Sequence, residues 1–197
     1  MCGRYFIEID EKELQEIANK IEKDARICPG QLTIKTSGDI FPADIVPVQT
    51  GPGRYQAMKW GFTGFDGKPV INARSETARE KPMFKQSMYK RRCLIPASGY
   101  YEWQRDGDKK IKYQFFISDS PMYFAGCWRQ DNNSPLCTFV ILTKAASGGL
   151  EAIHTRMPVI IPKDFFEVWL NDSPEIMGNT VTDVQYVRCG SSYTRDR

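Results

Sequence analysis

The stretch from Cys93 to Thr143 constrains the fold most, because it is a succession of β-type segments rich in aromatic and branched residues, each closed by a turn. Cys93 to Trp103 reads as one strand, with Ser98-Gly99 as a bulge or bend that re-aims Tyr100, Tyr101, Glu102 and Trp103. Asp106-Gly107-Asp108 is hairpin-turn chemistry and leads into Ile111 to Ser118, where Tyr113, Phe115 and Ile117 alternate with polar partners. Met122 to Trp128 and Leu136 to Thr143 follow as two more apolar strands, separated by the polar turn Gln130 to Pro135. Strands joined this closely pair antiparallel, so the chain is built on a sheet.

The rest of the sequence fits around that sheet. Gly3 to Ile9 reads as a short strand with Tyr5 and Ile7 on one side, holding Cys2 at the lip of a sheet. Asp10 and Glu13 form a capping box, after which Leu14, Ile17 and Ile21 recur at helical spacing. Cys28 to Gly53 is rich in Pro and Gly and predicts short edge strands at Asp39 to Pro42 and Ile45 to Val48. Tyr55 to Phe62 predicts a strand, Pro82 to Lys90 a short basic helix, and Val70 to Thr77 a strand end leaving through a polar turn. Gly148-Gly149 opens a loop that reaches His154; Met157 to Ile161 then forms a strand, and Pro162 starts a helix through Phe165, Phe166 and Trp169. Val181 to Val187 is an edge strand, and Ser191 to Arg197 should fray. At 197 residues the chain is long enough for one well-buried core and short for two. The expected architecture is α+β, one domain over residues 1–190, with a curved, barrel-like, mostly antiparallel β core and a few flanking helices.

No apolar stretch approaches a membrane span and the N-terminus turns polar by Glu8, so a cytoplasmic protein is expected. The six cysteines form no C-x-x-C pair and have one histidine for company, which argues against a zinc site; no metal or cofactor is expected. The net charge of +3 is small, but between Arg74 and Arg92 seven basic residues face two acids, a local excess of five on which a polyanion could dock.

The N-terminal Met1-Cys2-Gly3-Arg4 carries the most specific chemistry. Loss of Met1 would leave Cys2 as a 1,2-aminothiol, with an amine pKa of roughly 7.7–8.0 and a thiol near roughly 8.5. Such a residue can attack an aldehyde through nitrogen to give a Schiff base, then through sulfur to close a thiazolidine ring. His154 is the only histidine, hence the only imidazole available for proton transfer near neutral pH. Glu102 lies between Tyr101 and Trp103, where desolvation would raise its pKa toward that of a working acid and base, or it faces outward like most strand glutamates. Asn72, at a strand end, could hydrogen-bond a reacting oxygen or close a turn.

Taken together, Met1-Cys2-Gly3-Arg4, Trp60-Gly61, Asn72-Ala73-Arg74-Ser75-Glu76-Thr77, Arg92-Cys93-Leu94-Ile95-Pro96-Ala97 leading into Tyr101-Glu102-Trp103, Phe124-Ala125-Gly126, and His154-Thr155-Arg156-Met157-Pro158-Val159-Ile160 resemble the SRAP family, the SOS-response-associated peptidase-like proteins that process abasic sites in DNA. The resemblance implies a protein that exposes Cys2 and traps the ring-opened aldehyde of an abasic site in single-stranded DNA as a thiazolidine, with possible strand cleavage or reversal. It implies that Cys2 is the nucleophile, that Asn72 orients Cys2 and the sugar, that Glu102 exchanges protons, and that His154 holds or protonates the sugar hydroxyl. Arg4, Arg74, Lys81 and Arg156 would bind the strand, and Trp60 and Trp103 would wall the pocket or stack on bases. The implied partner is single-stranded DNA carrying abasic sites, met by a monomer that associates with the nucleoid when bound to damage. Thr155 stands where the family often has an acid, and the Asn-x-x-Pro pattern usual between Gln31 and Val48 is missing. Two other readings use the same residues: a Cys-His-Glu thiol peptidase, with His154 activating Cys2, and a noncatalytic reader of single strands.

Overall fold

The computed structural model describes residues 2–8, 12–23, 33–131, 134–171 and 180–190. In chain order the strands are β1 (Tyr5–Ile7), β2 (Gly38–Ile40), β3 (Ile45–Gly51), β4 (Arg54–Trp60), β5 (Phe62–Thr63), β6 (Pro69–Val70), β7 (Asn72–Arg74), β8 (Arg92–Ala97), β9 (Gly99–Asp106), β10 (Lys109–Phe116), β11 (Met122–Gln130), β12 (Cys137–Ala145), β13 (Arg156–Pro158) and β14 (Gln185–Arg188). The helices are α1 (Lys12–Lys23), α2 (Pro82–Lys90) and α3 (Phe166–Asn171).

Five strands close on themselves. β3 pairs with β4, β4 with β12, β12 with β11, β11 with β8, and β8 again with β3. All of these are antiparallel except β4 with β12, and β12 also carries β7 in parallel and β13 antiparallel. The expected barrel-like, mostly antiparallel core is thus a closed barrel, which leaves its strands no open edge.

Alternation along each strand sorts the side chains into two cores. Val46, Val48, Met58, Trp60, Cys93, Ile95, Phe124, Phe139 and Ile141 point into the barrel. Their neighbours Leu94, Tyr123, Ala125, Cys127, Val140 and Leu142 point outward and are covered by Phe84 and Met88 of α2 and Trp169 of α3. Burial on both faces is why β8 and β12 read as continuous apolar runs. Gly126 lies where the barrel is tightest: a Cβ there would stand 2.5 Å from Ile95 Cδ1 and 2.7 Å from the Val140 carbonyl oxygen. Gly126→Ala is therefore expected to lower stability by about 1–3 kcal/mol, visible as an earlier thermal unfolding midpoint.

Arg92, counted above in the basic segment, is buried and structural. Its Nε donates to the Trp169 carbonyl at 2.5 Å and its Nη1 to the Met88 carbonyl at 2.7 Å, so one guanidinium ties α2 to α3. Because α2 packs on the barrel's outer face, the cationic stretch that precedes β8 is separated by a sheet from the core that contains Cys2.

A second sheet, ordered β14-β10-β9-β1-β2, packs on the barrel and shares its core. Its inner face carries Tyr5, Ile40, Tyr100 and Phe115 into the same core, with Tyr100 and Phe115 stacked at 4.6 Å. The chain crosses from barrel to sheet at Ser98, whose N–H donates to the Phe6 carbonyl and whose hydroxyl accepts from the Glu8 N–H at 2.7 Å. Gly99 follows because a Cβ there would meet the Phe115 carbonyl oxygen at 2.1 Å. The bend expected at Ser98-Gly99 thus divides one predicted strand into β8 and β9.

Smaller differences have local causes. Asp10 of the expected capping box lies outside the described residues, as do Cys28 to Leu32 and Ser191 to Arg197. Glu13 binds across the fold, its carboxylate accepting from the Tyr123 hydroxyl and from Lys163 Nζ. The helix expected from Pro162 opens as a 3-10 turn over Lys163–Phe165 before α3. Among the described residues no helix is long and apolar enough to cross a membrane.

Candidate active site

Cys2 precedes β1 and is fully buried, part of the barrel core. Its thiol lies 3.9 Å from the Arg4 carbonyl oxygen. Burial, and after it the charge of Glu102, pushes the thiol pKa far above the usual range, so the sulfur stays protonated near neutral pH. Asn72, first residue of β7, donates from Nδ2 to the Cys2 carbonyl at 2.9 Å, while its Oδ1 is buried without a hydrogen-bond partner. Strand β7 is fixed beside β12, with Asn72 opposite Ile141, so the amide reaches Cys2 from a rigid element.

Glu102 follows from the pleat of β9. Tyr100 faces inward, so Glu102, two residues on, does too, and only 4% of it is exposed. The sequence left both orientations open; register with β10, where Glu102 lies opposite Tyr113, selects the inward one. Burial raises the carboxyl pKa, opposed by the positive charge of the chain terminus and of His154.

His154 follows the 3-10 turn Leu150–Ala152, whose Leu150 carbonyl accepts from the His154 N–H at 3.1 Å. Its Nδ1 lies 3.0 Å from the Arg156 amide nitrogen and 3.1 Å from the Arg156 carbonyl oxygen, so the Arg156 backbone engages that side of the ring and leaves Nε2 on the other. That nitrogen stands 3.9 Å from Glu102 Oε2. A loop, two strands and the N-terminal segment thus bring a thiol, a carboxyl, an imidazole and a carboxamide together. Glu102 and His154 line a cleft of about 600 Å³ with Trp103, Gln104, Arg105 and Lys110 on its walls. Such a cluster can pass protons to and from an electrophile attacked by the Cys2 nitrogen or sulfur.

Arg4 lies beside the same cleft. Its guanidinium sits over Phe41 at 4.4 Å and over Trp103 at 5.2 Å, with Asp39 Oδ2 at 3.8 Å. Trp103 is half-buried and keeps part of its ring open, whereas Trp60 is fully buried inside the barrel, stacked on Phe139 and donating Nε1 to the Ile71 carbonyl at 3.0 Å. Trp60 therefore cannot stack on a base; it supports the chain just before Asn72. Arg74 and Lys81 are exposed, the first ending β7 and the second preceding α2.

Arg156 corrects a second expectation. Its guanidinium forks onto Glu76, Nη1 to Oε1 at 2.6 Å and Nη2 to Oε2 at 2.9 Å, and Nη2 also donates to the Thr143 carbonyl at 2.6 Å. A guanidinium so engaged braces the His154 loop against the turn after Asn72 instead of standing ready for a phosphate. Arg156 beside it holds the Glu76 carboxyl at about 2. The fork's stabilisation is full above the ordinary glutamate range and lost as pH falls toward 2. Glu76 is largely exposed, so solvent screening limits the effect to under about 1 kcal/mol. Glu76→Gln should flatten the unfolding midpoint between about pH 4.5 and 2, measured by circular dichroism.

Sequence reasoning missed Asp39 and Phe41 around Arg4, and it missed Gln104, Arg105 and Lys110 on the cleft wall. Phe41-Pro42 in a Pro-rich stretch carried no functional signal. The Asp106-Gly107-Asp108 turn did carry one, since a two-residue hairpin loop sets Arg105 directly opposite Lys110.

Comparison with known proteins gives the family. The family model for SOS response associated peptidase (SRAP) matches residues 1–187. Abasic site processing protein YoaM of Bacillus subtilis (strain 168) is 40% identical over 185 residues, covering 87% of this chain and 79% of its own. Abasic site processing protein YedK of Escherichia coli (strain K12) is 28% identical over 198 residues, covering 96% and 87%. Among solved structures, a protein from Bacteroides thetaiotaomicron superposes with a TM-score of 0.75 at 24% identity, over 95% of this chain and 91% of that one. The chain, which the family model matches over nearly its whole length, belongs to the SRAP family.

Proposed function

We propose that the protein processes abasic sites in single-stranded DNA, capturing the ring-opened aldehyde on Cys2 after Met1 is lost. The observation that carries the reading is the convergence of Cys2, Asn72, Glu102 and His154, from four separate parts of the chain, on one partly desolvated site. Relatives named as abasic site processing proteins support it.

The electrostatics set the order of events. A thiol held protonated by burial is a poor first nucleophile, whereas the same burial disfavours the charged form of the freed Cys2 amine, whose usual pKa is roughly 7.7–8.0, and so favours the nucleophilic form. Nitrogen therefore attacks the aldehyde carbon. The resulting carbinolamine loses water when a protonated Glu102 donates to the departing hydroxyl, which leaves a protonated Schiff base and a Glu102 carboxylate. The Cys2 sulfur then adds to the imine carbon, and its proton leaves by way of that carboxylate. Aldehyde and aminothiol go in; thiazolidine and one water come out. Asn72 fixes the Cys2 backbone while this happens, and its open Oδ1 accepts from a sugar hydroxyl. His154, which lines the cleft beside Glu102, steadies the hydroxyl released on ring opening.

A thiol peptidase fits less well. His154 Nε2 faces Glu102, and the buried Cys2 sulfur is pushed away from the thiolate such an enzyme needs. A noncatalytic reader would have no use for a carboxyl buried beside the cysteine. The test mixes mature protein with a single-stranded oligonucleotide holding one abasic site and denatures the sample in detergent. A heat-resistant shifted band is expected, with none for an intact oligonucleotide; equal bands for both would overturn the proposal.

A further inference from the structure

The cleft does not stop at the reacting groups. Among the described residues β1 pairs with β9 only at Gly99 and Tyr100, so beyond Tyr101 the edge of β9 is open, and the cleft wraps around it to reach both faces of the strand. On the inner face lie Glu102 and Gln104; on the outer face lie Trp103 and Arg105. Gln104 is anchored, donating to the Ala152 carbonyl at 2.8 Å and accepting from the Tyr113 hydroxyl at 3.1 Å, so this wall is rigid.

Arg105 and Lys110 stand directly opposite each other across β9 and β10, and both line the cleft. Like charges so paired on one sheet face repel, which destabilises the hairpin unless an anion sits between them. The next row outward from the turn pairs Trp103 with Lys112, whose Nζ lies 3.6 Å above the Tyr101 ring. The outer face of this hairpin therefore alternates cations with aromatic rings, and one end of the row opens onto Glu102 and His154. Alternation of that kind suits a strand whose bases can be splayed: phosphates meet the cations and a base lies on an open ring. Glu151, on the opposite wall, keeps the anion to the hairpin side.

We infer that the strand flanking the captured sugar continues past Trp103 over the outer face of the β9–β10 hairpin, with Arg105 and Lys110 holding its phosphates. This rests on the single-strand reading proposed above and gives that strand a path. The path differs from the cationic stretch of α2, which covers the barrel's outer face and does not line the cleft.

The test compares two charge-matched double variants of the full chain, Arg105→Gln with Lys110→Gln and Lys85→Gln with Lys90→Gln, in binding to an undamaged single-stranded oligonucleotide by fluorescence anisotropy. The hairpin variant should bind about tenfold more weakly at low salt. Its log K against log salt slope should be shallower by about 1.4, two phosphates at about 0.7 each. The α2 variant should keep most of the wild-type slope. Thermal melting checks that both fold. The inference is overturned if the hairpin variant keeps the wild-type affinity and slope, or if the α2 variant loses as much. Because binding is read on an intact strand, failure of wild type to crosslink an abasic site would sink the functional reading by a separate measurement.

Discussion

With Cys2→Ala, the denaturation-resistant product on abasic DNA is expected to vanish, a loss of at least about 10³-fold set by the background of the gel. The alanine variant keeps the amine but has no sulfur, so any Schiff base it forms hydrolyses on denaturation. Cys2→Ser separates the two steps. Its amine still condenses with the aldehyde, while its hydroxyl is too weak a nucleophile to close the ring. Borohydride, which reduces an imine to a stable amine, should therefore restore a covalent band for Cys2→Ser and change little for wild type. A borohydride-independent band with Cys2→Ala would remove the thiazolidine from the mechanism. The substitution should be mild for the fold: the side chain removed is small, and alanine keeps the backbone carbonyl that Asn72 grips.

Glu102→Gln carries the second large effect. The amide fills the same space but can neither donate nor accept a proton, so the rate of crosslinking should fall by about 10²–10⁴. Stability should move the other way. Glu102 has its folded-state pKa raised by burial, so it favours folding while protonated and opposes it as pH rises through the folded value. Glutamine removes that opposition, and the variant should unfold at an equal or higher temperature than wild type at neutral pH. The wild-type rate should climb as the terminal amine deprotonates, at or below its usual range of roughly pH 7.7–8.0, and decline where Glu102 loses its proton. A rate that tracked thiolate formation near the ordinary cysteine pKa would contradict the order of attack, because burial holds the Cys2 thiol protonated there. A Glu102→Gln variant that is both slow and unstable would point to a structural role for the carboxyl.

Local chemistry made much of this legible in the sequence. Helix α2 occupies Pro82–Lys90 as read, because a proline at its start and a basic last turn mark both ends. The bend at Ser98-Gly99 and the turn after Asp106 were visible for similar reasons, since few residues besides serine and glycine suit those backbones. Closure of the barrel was less legible. It depends on β12 pairing in parallel with both β4 and β7, and no turn signal encodes a partner more than sixty residues away. The inward aim of Glu102 depended on register with β10, which alternation alone cannot choose.

The misreadings share one cause. Trp60 and Arg156 were assigned to DNA from motif position, and long-range packing decided otherwise: Phe139 covers one, and Glu76 with Thr143 engages the other. The Arg74 to Arg92 charge excess was counted along the chain, while the fold distributes those residues over a turn, an outer helix and a buried link between helices. Arg105 and Lys110 went unremarked because they sit five residues apart beside acids. Only the hairpin register sets them face to face on the cleft wall.

The most direct test is intact and peptide mass spectrometry of the protein after reaction with the abasic oligonucleotide. The account predicts one product whose mass equals the chain without Met1 plus the oligonucleotide minus one water, with the nucleotide remnant on the peptide that begins at Cys2. A crosslinked chain that still carries Met1, or a remnant on any other residue, would contradict it.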